Sequence, residues 1–441
     1  MFTFIKKIYK NQRKDYVMLL IILIFLSSFE FTFLAMYDAF TQFNLHWTVR
    51  SALHGIPVLA SLVALVLNIF VTKYFIENKK QEFSILLLSG RKPKDLLIYL
   101  LLQFLPLMVI AYIIAAIIGS AFMYLINWFP QIQNSTLILN YSFINVCFYS
   151  FMYFVFAFIV ILALCAHQFV NLDKDLAKYL SQKASISKPA YIIKASAVSS
   201  KRKIPWLMII FSLGAIYLTV ASLLNLLQTN LSTTDLLMSF TYALAGIFML
   251  VMTVIPLLYD LLHHRLLKHP ILMNALSSFN EFARVMVVLA TLNMIILPIQ
   301  LFLIFFGAKQ ELIQAITLPC FIMMIIMIAL SFILRFFIYN QESRSTFAKL
   351  NAIGYSPHIL NQITLIKNIL FLFLIFIIPL LFMGELFYRA YNQGLLSINI
   401  ISIMMITYLI INCLVFIYTC VQERISLKEV TQNVKYLNRG Q

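Results

Sequence analysis

Two carboxylates stand where a carboxylate is expensive. Glu30 lies in the apolar run 16–37 and Glu385 in the run 366–388. A charged side chain in hydrocarbon is costly unless it is paired, protonated or facing water, so each marks either a wet cavity or a group reaching the interface. Both fall in the outer halves of their runs and would border a common outward cavity. On the other reading each is shallow enough to reach the interface, and Arg389, one turn beyond Glu385, favours that reading there. His263, His264 and His269 crowd one stretch, but no cysteine or acid accompanies them at ligand spacing, so they read as interfacial residues and not as a metal site. The chain contains no GxxxxGK[ST], no HExxH and no GxSxG. It is therefore expected to be no enzyme, and to carry no cofactor or metal of its own. An intramembrane enzyme would have Glu30 as its candidate residue.

The chain does carry two polar handles set between apolar runs. The first, KYFIENKKQEFSILLLSGRKPKD (73–95), places Phe83, Leu86 and Leu87 on one helical face, while Lys79, Lys80 and Glu82 hold the segment in water. Gly90 is expected to end the helix in the left-handed conformation, and Pro93 to stop it from resuming. The second, NQESRSTFAKLNAIGYSPHIL (340–360), repeats the design. Phe347, Leu350, Gly354 and Pro357 answer Phe83, Leu86, Gly90 and Pro93, each followed by an apolar residue at Leu96 or Leu360, and Arg344 supplies the basic residue. Two such copies in equivalent places read as a duplicated unit. A short amphipathic helix between two spans is a handle for a soluble partner.

These handles must be positioned by a membrane. Of 441 residues, 62% are hydrophobic and 11% charged, more apolar material than a water-soluble core needs. A span takes about 20 apolar residues. Ten candidates are expected, near 16–37, 51–74, 98–126, 141–165, 205–227, 236–259, 284–306, 314–338, 366–388 and 399–420. With a cytosolic N-terminus, all of the 33 Lys and Arg except Arg50, Lys309 and Arg389 stay inside. The positive-inside rule therefore puts both termini in the cytosol and makes the basic surplus a topology signal that also attracts lipid, with no nucleic-acid partner implied. Cys147, Cys165, Cys320, Cys413 and Cys420 lie in or at the ends of apolar runs, so no disulfide is expected.

The resulting class is an all-α polytopic membrane protein of about ten transmembrane helices. Residues 1–166 form a first four-span unit, 167–270 a cytosolic amphipathic linker with a two-span hairpin, and 271–441 a second four-span unit. An interfacial helix at the N-terminus leads into span one, and 271–284 leads into span seven in the same way. The repeat is offset by an even number of spans. The copies thus share one orientation and are related by an axis along the membrane normal, not inverted. Asn68, Asn293 and Asn412 read as glue between helices.

The handle Lys80-Gln81-Glu82-Phe83-Ser84-Ile85-Leu86-Leu87-Leu88-Ser89-Gly90 resembles the loop between the second and third spans of the FtsX-like permease domain, where a basic residue and a glutamate precede a leucine and a glycine. The second copy departs from it, with Thr346 where Glu82 stands. The layout of four, two and four spans is similar to that of the bacitracin and antimicrobial-peptide export permeases of ABC transporters. Those permeases carry a large extracellular domain between spans seven and eight, whereas here only 307–312 joins them.

The resemblance implies a permease in a bacterial plasma membrane, with ATP and Mg on a separate cytosolic ATPase docked at each handle, two copies per chain. It implies export or extraction of an amphipathic peptide, as in antimicrobial-peptide resistance, or of a lipid-linked molecule. The alternative is a signalling or scaffold protein that relays envelope stress to a sensor kinase without transport.

Overall fold

The computed structural model describes residues 13–41, 47–78, 83, 86–87, 89–90, 93–128, 139–174, 206–226, 233–266, 268–307, 311–392, 394 and 397–439. Among the described residues every regular element is helical. In chain order these are α1 (Arg13–Thr41), α2 (Trp47–Asn78), α3 (Pro93–Asn127), α4 (Phe143–Lys174), α5 (Trp206–Leu226), α6 (Thr233–Met249), α7 (Ile255–Leu266), α8 (Pro270–Gly307), α9 (Glu311–Ala352), α10 (Pro357–Leu372), α11 (Ile378–Asn392) and α12 (Ile398–Arg439). The expected N-terminal interfacial helix and most of the cytosolic linker lie outside the described residues.

Among the described residues, seven stretches are long and apolar enough to cross a membrane: Tyr16–Thr41, Lys94–Asn127, Phe143–His167, Thr241–Leu262, Pro270–Asn293, Leu318–Asn340 and Ile398–Lys428. Three shorter apolar stretches, Ala60–Lys73, Ile209–Ala221 and Ile378–Tyr388, fall where the remaining three spans are expected. The chain is thus a multi-pass helical membrane protein. The segment expected to lead into span seven is continuous with it in α8.

Two π turns join helices without a break: Leu250–Val254 between α6 and α7, and Phe373–Ile377 between α10 and α11. Each is followed by Ile-Pro, at Ile255-Pro256 and Ile378-Pro379. Proline has no N–H and its ring collides with the carbonyl four residues back. One extra residue in the turn opens the ladder where that collision would fall. In the first of these, Thr253 Oγ1 donates to the Met249 carbonyl at 2.6 Å, supplying a polar partner that the bilayer cannot.

Helices in lipid gain little from burial alone and hold together by close packing. A Cβ on Gly119 of α3 would lie 2.8 Å from Phe31 Cδ1 and 2.9 Å from the Ser28 carbonyl of α1, so only glycine allows this approach. Thr32 Oγ1 exploits it, lying 2.8 Å from the Ser28 carbonyl and 3.3 Å from the Gly119 carbonyl. Four helix pairings recur between the units: α1–α2 as α8–α9, α1–α3 as α8–α10, α2–α4 as α9–α12, and α3–α4 as α10–α12. The units meet through α2 against α8 and α9, and through α1 against α9. The α5–α6 hairpin packs against α8, and so sides with the second unit.

Candidate functional site

In the first handle, Phe83 is buried and meets Tyr99 of α3 edge to face, with ring centres 6.2 Å apart. Leu86 is half-buried against the same core, and Leu87 is buried. Gly90 has φ +85°, and its N–H bonds to the Leu87 carbonyl at 3.0 Å. Pro93 does more than stop a helix. It opens α3, where a missing N–H costs nothing and a fixed φ is already helical. Lys79, Lys80 and Glu82 lie outside the described residues.

The second handle is no separate short helix, because α9 runs on through it to Ala352. Phe347 is buried with Ala275 of α8, Leu360 and Ile363 of α10 and Leu427 of α12, and Leu350 packs at the edge of that cluster. Gly354 has φ +106° and bonds to the Asn351 carbonyl at 3.0 Å, while the Tyr355 N–H reaches the Leu350 carbonyl at 3.1 Å. Ser356 caps α10, its hydroxyl accepting from the Ile359 N–H, and Pro357 takes the first helical position. Arg344 Nε donates to Ser426 Oγ at 3.1 Å, which ties this handle to α12. Phe83 and Phe347 face the bundle and anchor their handles. The outward side of the second handle carries Thr346, Lys349 and Ile353, the last 68% exposed.

Behind the second handle lies a buried ionic cluster that no sequence motif announced. The Lys367 ammonium pairs with Glu423 of α12, which also accepts from Asn368 Nδ2 at 2.8 Å. The same ammonium sits over the rings of Phe282 at 4.9 Å, Tyr339 at 5.1 Å and Phe336 at 5.8 Å. Gln103, which stands at the same distance from Gly90 as Lys367 from Gly354, is also buried and donates to the Tyr16 hydroxyl of α1. The available signal was a lysine and a glutamate at the ends of apolar runs, each ordinary by itself.

Glu30 lies near the middle of the stretch Tyr16–Thr41 and is 6% exposed. It accepts from Asn68 Nδ2 of α2 at 3.2 Å, a bond that joins two of the expected polar residues. Both line a cavity of about 30 Å³, together with Ser27, Tyr112, Ser150 and Tyr153 from α1, α3 and α4. Glu385 is half-buried on α11 and lines none of this cavity, so the two acids border no common space there. The side chains of Arg389, His263 and His264 lie outside the described residues. Asn293 Nδ2 bridges to the Tyr408 hydroxyl of α12 at 3.2 Å, whereas Asn412 Nδ2 bonds the Tyr408 carbonyl one turn back in its own helix.

Long apolar helices held by buried polar contacts define the class as a multi-pass membrane protein. Within it, residues 55–170, which run from α2 through the first handle to α4, match the family described as FtsX-like permease C-terminal. A domain of that family points to the membrane permease of an ABC transporter, and such permeases generally work with a cytosolic ABC ATPase. The second handle lies outside the matched residues. No curated protein and no solved structure matches the chain.

Proposed function

We propose that the chain is the permease subunit of an ABC transporter whose two handles each dock one copy of a separate cytosolic ATPase carrying ATP and Mg. Closure of the ATPase pair moves the handles, and the helices they terminate carry that motion across the bilayer. The cargo is a membrane-associated amphipathic peptide or lipid-linked molecule, in keeping with the short outer connections. One observation carries the reading: the first handle lies inside the family match, and the second repeats its buried phenylalanine, its left-handed glycine and its helix-opening proline.

The outward face offers the test. Ile353 is 68% exposed and belongs to no buried cluster of the described residues, so Ile353→Asp should leave insertion and folding intact. Co-purification of the ATPase from membranes should fall at least tenfold, the loss of about 1.4 kcal/mol of contact energy. Unchanged co-purification refutes docking at this handle. Recovery of a membrane kinase in place of an ATPase would favour the signalling alternative.

A further inference from the structure

The cavity between α1, α2, α3 and α4 has a mixed lining. Glu30, Asn68, Ser27 and Ser150 supply hydrogen-bonding groups. Leu23, Met108, Ala111 and Ala157 supply apolar ones. Tyr112, Tyr153 and Phe154 add aromatic rings, and no lysine, arginine or histidine is among the described lining residues. Asn68 is 6% exposed, and while its amide nitrogen serves Glu30, its Oδ1 is buried with no hydrogen-bond partner among the described residues. A buried acceptor left empty costs the desolvation energy of that group, so its position beside a carboxylate calls for a donor.

We propose that this cavity binds a primary alkylammonium group, with Glu30 and Asn68 taking its N–H donors and the apolar residues taking its carbon stem. An ammonium brings three donors and no acceptor, matching a lining rich in acceptors. Its charge neutralises Glu30 where hydrocarbon would otherwise penalise it. Aromatic rings are favourable neighbours for a cation. The volume admits the head: a cavity of about 30 Å³ exceeds the roughly 10–15 Å³ that one water needs. Lysine side chains of peptides and ethanolamine headgroups of lipids share this chemistry. The site belongs to the chain alone and stands or falls independently of ATPase docking.

The test uses the purified full-length chain in detergent, with its unfolding midpoint as the readout. Saturating n-butylammonium chloride should raise the midpoint by about 2–4 °C. Equal concentrations of n-butanol or sodium chloride should not. Glu30→Gln keeps the shape and the bond to Asn68 but should abolish the shift, and Asn68→Ala should reduce it. Phosphatidylethanolamine against phosphatidylcholine, and a lysine peptide against its norleucine counterpart, distinguish the two sources. No shift with butylammonium overturns the assignment, as does an equal shift with butanol or sodium chloride, or one that survives Glu30→Gln.

Discussion

At the residue scale, the energetics concentrate on two carboxylates in different states of compensation. Glu423 is fully paired: Lys367 and Asn368 serve it, and three rings surround the lysine. Removing one partner strands the other charge in a buried site. Lys367→Met and Glu423→Leu should therefore each lower stability by about 3–5 kcal/mol, and the double variant should recover most of that loss. Denaturant unfolding in detergent checks this, and strictly additive losses would show that the two do not act as a pair. Glu30 was legible in the sequence, because an acid inside an apolar run stands out from composition alone. Its pairing with Asn68 was not, since both residues were visible but nothing in one dimension brings α1 onto α2. Lys367 and Glu423 were hidden for a plainer reason: each sits at the end of a run, where charges are routine.

At the scale of single elements, the handles show how local chemistry was half read. Gly90 and Gly354 adopt the left-handed conformation that their spacing implied. Their prolines start the next helix, and the second handle is a tight corner between α9 and α10. A Cβ on Gly354 would meet nothing within 4 Å among the described residues, so Gly354→Ala costs only the left-handed backbone, about 1–2 kcal/mol. Gly119→Leu is different in kind, since it forces α1 and α3 apart at Phe31, and should cost at least that much with loss of assembled protein. Thermal unfolding of the two variants separates strain from steric exclusion. The π turns were invisible beforehand. Pro256 and Pro379 were present as signals, but a proline in an apolar run forecasts a kink and not the extra residue that relieves it.

At the scale of the whole molecule, the duplication is carried by packing more fully than by sequence. Four helix pairings recur between the units, although the motifs they share are confined to the handles. The alignment of handles was legible because glycine, proline and an aromatic anchor constrain a corner tightly, whereas lipid-facing helices accept almost any apolar residue. The placement of the α5–α6 hairpin against the second unit was not legible, because apolar faces carry no address. The units are also unequal. The first holds the Glu30 cavity at its centre, while the second buries its ionic cluster beside the handle. The second handle is tied to α12 through the hydrogen bond from Arg344 to Ser426.

The central claim is that the two handles move together when a partner ATPase binds nucleotide. Spin labels at Ser89→Cys and Ile353→Cys, both exposed positions, report the distance between handle tips once the five native cysteines are replaced. Measured by pulsed electron resonance on the chain with its co-purifying ATPase, that distance should shorten when ATP is trapped and relax with ADP. A distance distribution identical in both states, or a chain that purifies with no ATPase at all, would contradict the account.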